Sequence, residues 1–114
     1  MKRFARGEVW LVDLGMAGKV RPALIVSSPP GDADRALVTL VSHTTSVRGT
    51  AYEVAVASPF LRPGAFDCQG VASLPLSILI RPLGRLPPSE LLKVERVLAR
   101  WLGLGPSSVE DVPR

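Results

Sequence analysis

The side chain best placed for chemistry is Arg21, which stands where a short polar loop passes into the apolar run Pro22-Ala23-Leu24-Ile25-Val26. Proline at 22 fixes its own φ at about −65° and biases the preceding residue away from the α region, so the guanidinium leaves the chain in a set direction. An arginine held this way is a permanent positive charge whose forked donors match phosphate or carboxylate oxygens. A second polar concentration, His43-Thr44-Thr45-Ser46, closes the apolar run that begins at Ala36. Its hydroxyls can donate to an anion, and His43, the single histidine, titrates nearest neutrality. Lys19 and Arg48 are further cations close to these positions in the chain.

One histidine and one cysteine, Cys68, cannot build a zinc site of the usual four-ligand kind, and a lone cysteine cannot form an internal disulfide. A structural metal is not expected, nor is a cofactor. The 114 residues carry 14 basic and 10 acidic side chains, a formal charge of +4, and a pI near 10.0. Such a balance favours an anionic partner such as nucleic acid. No run approaches the ~20 apolar residues that cross a bilayer, and the basic Met1–Gly7 leader lacks the apolar stretch of a secretory signal. A cytoplasmic protein is expected.

The elements that position these groups are mostly strands. Glu8–Leu14 alternates, with Trp10, Val12 and Leu14 on a fully apolar face. After a glycine-containing loop from Gly15 to Val20, Pro22–Ser28 reads as a strand stopped by the turn formers Pro29-Pro30-Gly31-Asp32. Ala36–His43 is apolar on both faces, as a buried central strand is. Tyr52–Ala57 alternates again, a Pro- and Gly-punctuated loop runs from Ser58 to Gly64, and two apolar runs, Gln69–Leu74 and Leu76–Pro82, are split by a corner at Pro75. The only helix opens at Pro87-Pro88-Ser89-Glu90, with Ser89 as candidate N-cap, and stops at Gly103 and Gly105. Leu91, Val94, Leu98 and Trp101 recur at helical spacing, which predicts a core-facing stripe including Trp101. The sum is a mainly β chain, a small bent antiparallel barrel with a C-terminal α-helix, in one domain over residues 1–105 followed by a polar, loose tail at 106–114.

Arg6-Gly7-Glu8-Val9-Trp10-Leu11-Val12-Asp13-Leu14, then Arg21-Pro22-Ala23-Leu24-Ile25-Val26-Ser27-Ser28, then Thr44-Thr45 before a basic tip and Tyr52-Glu53-Val54, together resemble the MazF/PemK (Kid) family of toxins from toxin–antitoxin pairs. The likeness runs through Gly70-Val71-Ala72 and the final helix, covering roughly residues 6 to 103. It implies an SH3-like barrel of the CcdB/MazF/Kid type, usually a homodimer, acting as a metal-independent, sequence-selective endoribonuclease on single-stranded RNA and blocked by a small, acidic, partly disordered antitoxin. Carried over by position, it makes Arg21 and Thr44 the catalytic pair. Lys19, Thr45, Ser46 and Arg48 would bind substrate, and His43, next to Thr44, is a possible proton carrier. Cleavage by the RNA's own 2′-hydroxyl builds charge on a phosphorane that an arginine can stabilise without a metal.

Each residue also has a plainer reading. Arg21 would cap a strand end or pair with Glu8 or Asp13, and Thr44 would bond the next backbone amides as threonine pairs in turns do. His43 and Thr44, as consecutive strand residues, should point to opposite faces, which favours a strand-end histidine bonded to backbone. Trp10 is expected in the core or a dimer contact, Trp101 in the core, and Cys68 inert. Two features depart from the family: the first loop is short, and Ser73-Leu74-Pro75-Leu76-Ser77 lacks the acidic residue and glutamine that relatives often carry there, Asp67 and Gln69 lying upstream. Two other functions fit the same chain: a non-catalytic nucleic-acid-binding barrel, and a toxin on this fold that inhibits DNA gyrase, as the related CcdB group does, through a helix end like Trp101-Leu102-Gly103.

Overall fold

The computed structural model describes residues 3–15 and 19–105. The expected tail at 106–114, the tip of the first loop and the first two residues of the leader lie outside the described residues. Among the described residues, seven strands and one α-helix follow in the order β1 (Glu8–Asp13), β2 (Val20–Ile25), β3 (Leu37–Thr44), β4 (Glu53–Val54), β5 (Ala65–Asp67), β6 (Ala72–Pro75), β7 (Leu79–Arg85) and α1 (Pro88–Leu102). Every pairing is antiparallel, in the order β4-β5-β3-β2-β1-β7, with β6 on the first half of β3. The path does not close on itself, so the expected barrel is realised as a mainly β, barrel-like open sheet with one C-terminal helix.

Strand periodicity divides the core in two. Val9, Leu24 and Val41 are lateral partners across β1, β2 and β3, all with zero exposure, and they face α1 through Val94 and Leu98. Their neighbours Trp10, Val12, Ala23, Ile25 and Leu40 form a second cluster on the opposite face, where the bulk of Trp10 sits across from the small Ala23. Burial of a residue such as Leu24 contributes about 1.5–3 kcal/mol. Trp10 is core, as its strand context predicts, and its indole Nε1–H donates to Glu8 Oε1 at 3.1 Å.

Several boundaries differ from the sequence reading for local physical reasons. β2 begins at Val20 and ends at Ile25, placing Arg21 and Pro22 inside the strand, because only β1 pairs with them; β3 joins at Ala23, so the missing N–H of Pro22 breaks no ladder. The expected strand Tyr52–Ala57 shrinks to Glu53–Val54, since its partner β5 spans only three residues beyond Pro63-Gly64. Gln69 falls in a 3₁₀ turn, Cys68–Gly70, and the break expected at Pro75 is a second such turn at Leu76–Ile78. Ser89 is not the N-cap: the helix starts at Pro88, Pro87 takes the cap position, and no side chain caps it. Gly103 ends the helix as anticipated, in the left-handed conformation at φ 70°. Trp101 is 40 % exposed, a correction to its expected core position: it lies on the face of Val94 and Leu98 but in the last turn of the helix, where the neighbouring Leu102 and Leu104 are exposed too, and it rests on Tyr52 with ring centroids 5.1 Å apart.

Candidate functional site

The β2–β3 register brings the two key positions together. Ala23 pairs with Ser42, Leu24 with Val41 and Ile25 with Leu40. Continued two places past the end of the ladder, the same register sets Arg21 opposite Thr44, on the face that carries Ala23 and Ser42. Pro22 then falls beside His43 on the other face. Across β1, Leu11 pairs with Pro22 on one side and Arg81 on the other, so Arg81, Leu11, Pro22 and His43 form one lateral row.

Two hollows meet at this end of the sheet. The first, of about 560 Å³, has that row as its floor, Phe60, Leu61 and Arg62 as a wall, and Arg21, Thr44, Thr45 and Ser46 along its rim. The second, of about 280 Å³, lies against Ser42, Arg48, Thr50, Glu53, Asp67 and Gln69, and shares Arg21, Thr44 and Ser46 with the first. The first hollow wraps around the strand ends, and this is why His43 and Thr44 both line it although they sit on opposite faces of β3. Lys19, though exposed, lines neither hollow.

Arg21 is half-buried and has no side-chain hydrogen bond or ion pair among the described residues. The carboxylates that would have neutralised it are engaged elsewhere. Glu8 accepts from Trp10, from the Ala5 N–H at 2.8 Å and from Arg85, while Asp13 accepts the Gly15 N–H at 2.8 Å. Arg62 and Arg81 are likewise unpaired among the described residues, so the first hollow presents three guanidinium groups and no carboxylate. The long charge–charge reach in a partly desolvated cleft makes it attractive to phosphate.

Thr44 Oγ1 accepts the Ser46 N–H at 3.0 Å. That is the turn-forming bond expected of a threonine here, and it leaves the hydroxyl proton free to donate. The basic loop that follows is held by Glu53, whose carboxylate accepts the Arg48 N–H at 3.0 and 3.2 Å and the Thr50 N–H at 2.8 Å. Those backbone donors, Arg48 first, hold the carboxyl below the usual carboxylate range. The loop that carries Arg48 is therefore braced rather than free.

His43 is 4 % exposed, and its Nε2 is buried without a hydrogen-bond partner among the described residues. It is not bonded to backbone, contrary to the plain expectation; packing holds it, with Phe66 edge-on at 5.1 Å. Burial pushes its pKa below the usual histidine value and keeps the ring neutral. Cys68, buried behind the sheet, is pushed up to about 11 by burial and by the Asp67 charge, which makes it the inert thiol expected.

Among the lining residues that the sequence reading did not assign to the site, four are polar groups suited to contact a substrate: Arg81, Arg62, Asp67 and Gln69. Arg81 precedes Pro82, the same Arg-Pro step as at Arg21, and that repetition was the available signal. Arg62, in the loop, carries the same mark, since it precedes Pro63. Asp67 and Gln69 were set aside as lying upstream, yet the turn that Asp67 caps, through the Gln69 N–H at 3.2 Å, carries both to the second hollow beside Arg21 and Thr44. No cluster of three or more His, Cys, Asp or Glu side chains suited to a metal is present among the described residues, and no helix among them is long and apolar enough to cross a membrane.

The chain can now be set beside known proteins. It is 32 % identical over 85 residues to a protein named probable endoribonuclease MazF5 of Mycobacterium tuberculosis, covering 72 % of this chain and 77 % of that one. Over 114 residues it is 32 % identical to endoribonuclease MazF9 of the same organism, covering 87 % and 96 %. A solved mycobacterial endoribonuclease in complex with its cognate antitoxin superposes with a TM-score of 0.77 at 30 % identity, covering 91 % of this chain and 99 % of that one. MazF from Deinococcus radiodurans in its MazE–MazF complex shares the fold, with a TM-score of 0.72 at 23 % identity over 92 % of this chain and 99 % of that one. The family profile described as PemK-like, MazF-like toxin of type II toxin–antitoxin system matches residues 5–102, and the chain belongs to that family.

Proposed function

We propose that this chain is an endoribonuclease toxin that cuts single-stranded RNA through attack of the substrate's own 2′-hydroxyl, leaving a cyclic phosphate or 3′-phosphate and a 5′-hydroxyl. The observation that supports it best is that a guanidinium without an ion pair, Arg21, and a hydroxyl donor, Thr44, line the same two hollows just beyond the paired ends of β2 and β3. In this reading Arg21 grips the scissile phosphate and stabilises the charge that grows on it, and Thr44 donates to the same oxygens. The guanidinium supplies the charge that a metal would otherwise provide. Arg48, Ser46 and Thr45 hold flanking phosphates or sugars, and Asp67 and Gln69 contact substrate from the second hollow. His43 carries no proton in this reading, because its Nε2 is closed off from the rim.

The partners follow from the surface. An acidic antitoxin peptide fits the arginine-lined hollow, and the apolar helix end, with Trp101, Leu102 and Leu104 40 %, 49 % and 60 % exposed, supports a homodimer. The site of action is cytoplasmic, where messenger RNA is available.

The test is cleavage of a long single-stranded RNA in the presence of chelator by the parent, Arg21→Ala and Thr44→Ala. Loss of one preorganised donor to a developing charge costs about 10²–10³ in rate, and that loss is expected for Arg21→Ala with little change in thermal unfolding. Undiminished cutting by Arg21→Ala would refute the assignment. Binding without any cutting by the parent would favour the non-catalytic barrel, and inhibition of gyrase supercoiling would favour a protein target reached through the Trp101 end.

A further inference from the structure

We propose that Asp67 is the general base of the cleavage reaction, its free carboxylate oxygen taking the proton from the attacking 2′-hydroxyl. This role rests on the nuclease reading above. It supplies a proton carrier where the buried His43 and the always-charged Arg21 offer none.

The order of the strands sets the geometry. β5, β3 and β2 lie side by side, and they bring Asp67, Thr44 and Arg21 respectively to the second hollow. Thr44 pairs with Ala65, so Asp67, two residues on, shares that face of the sheet. Two strand spacings put β5 and β2 about 10 Å apart. Asp67 and Arg21 form no ion pair among the described residues, and the hollow of about 280 Å³ lies between them. A ribose with its 3′-phosphate suits such a gap: the phosphate meets the guanidinium of Arg21 and the hydroxyl of Thr44, and the neighbouring 2′-hydroxyl meets the carboxylate on the other side.

Elimination singles out the residue. Among the described residues that line the second hollow, Glu53 and Asp67 are the carboxylates. Both oxygens of Glu53 already accept backbone N–H groups, from Arg48 and Thr50. Asp67 uses only Oδ1, which accepts the Gln69 N–H at 3.2 Å and so caps its 3₁₀ turn. Its Oδ2 has no hydrogen bond or ion pair among the described residues. That oxygen lies beside Gly70, where an added Cβ would stand 3.3 Å away, so the absence of a side chain there leaves it open. The titratable and charged neighbours do not compete for the proton. Glu53 is held below the usual carboxylate range by its amide donors, the buried Cys68 is pushed up to about 11, and Arg21 and Arg48 are donors only. As the 2′-oxygen bonds to phosphorus, its proton passes to Asp67 Oδ2; the bond from phosphorus to the 5′-oxygen breaks, and that oxygen takes a proton from solvent water. Asp67 then returns its own proton to solvent, leaving a 2′,3′-cyclic phosphate and a 5′-hydroxyl.

Asp67→Asn separates this role from a structural one, because an amide oxygen still accepts the Gln69 N–H while the base is gone. With the full chain, a single-stranded RNA and chelator, its single-turnover cleavage should fall about 10²–10⁴-fold, the usual contribution of a positioned base. What cutting remains should rise about tenfold per pH unit between pH 6 and 8, as solvent hydroxide takes over the proton, and more steeply than the parent's. Binding of the 2′-deoxy form of the same strand, read by fluorescence anisotropy, should stay at the parent value or tighten, since a negative charge beside the phosphates has been removed. Asp67→Glu, which keeps a carboxylate one methylene further out, should recover part of the rate and the parent's pH profile. If Asp67→Asn does not fold, Asp67→Ser, whose hydroxyl can also accept the Gln69 N–H, takes its place with the same expectations. Parent-like cleavage and pH profile in the variant, or a loss accounted for by weaker binding, overturns the proposal and leaves the nuclease reading standing. A parent protein that does not cut overturns both.

Discussion

Gly64 provides a sharp test of how the site is built. Its φ lies outside the left-handed region, so the backbone would accept alanine, and in open space that change stabilises by about 0.4–1 kcal/mol through the unfolded chain. The space is not open. An added Cβ would lie inside the contact distance of the Thr44 carbonyl oxygen, 3.0 Å from the Thr44 carbonyl carbon, and 2.8 Å from His43 Cε1. The obstacles are backbone and a buried ring, neither of which can swing aside. Overpacking of this kind costs about 1–3 kcal/mol, and Gly64→Ala belongs at the upper end. Gly84 is the natural control: there the atoms nearest to the added Cβ are the far ring atoms of Phe60, at 2.5–2.8 Å, which belong to a half-buried side chain rather than to backbone. Gly84→Ala should therefore cost about 1 kcal/mol or less. In urea unfolding, the Gly64→Ala midpoint should fall well below both parent and Gly84→Ala at unchanged slope. Because the Gly64→Ala clash bears on Thr44 itself, cleavage should fall too, by about 10²-fold if Thr44 moves by 1 Å. A Gly64→Ala protein with the parent's midpoint and the parent's cutting rate would show that the Ser58–Gly64 loop does not rest on β3, and the site geometry argued from it would be wrong.

Three other outcomes follow from individual groups. The folded-state pKa of His43 is depressed by burial, so in the window below its ordinary value of 6.5 the unfolded chain binds the proton and the folded one does not. Stability should be flat above that value and decline as pH falls below it, with a slope of at most about 1.4 kcal/mol per pH unit for one proton; His43→Phe should remove the decline in denaturant titrations across pH 5–7. Glu53→Gln should release the basic loop, and amide hydrogen exchange at Arg48 and Thr50 should speed up while exchange in β1 and β2 is unchanged. The Cys68 thiol, with its pKa raised to about 11, should resist an aromatic disulfide reagent at pH 8 in the folded protein and react at once in denaturant.

The sequence carried the strands with the clearest patterns. β1 and β3 were legible because alternation and two-faced hydrophobicity are local signals, and α1 because Leu91, Val94 and Leu98 repeat at helical spacing and Gly103 stops it. The short β4 and β5 were not, since a two- or three-residue strand exists only where a partner meets it. Trp101 fits the helical stripe as well as Leu98 does, and which end of that stripe leaves the sheet depends on where α1 crosses it.

By itself, then, the chain determined its composition-level chemistry and its local pieces: an arginine fixed ahead of a proline, a hydroxyl run at the end of a buried strand, a surplus of positive charge, and a family likeness that placed Arg21 and Thr44 together by analogy. Only the tertiary structure decided that these residues, 23 apart in sequence, line the same two hollows where the antiparallel ladder of β2 and β3 ends. It also decided that Arg81 joins them across β1, that Asp67 and Gln69 turn toward them, and that Glu8 and Asp13 form no ion pair with Arg21, Glu8 pairing with Arg85 instead. The physical reason is the same throughout: propensity and periodicity are properties of neighbours in the chain, whereas a site is made by register and by which charges are left without partners once the sheet has formed.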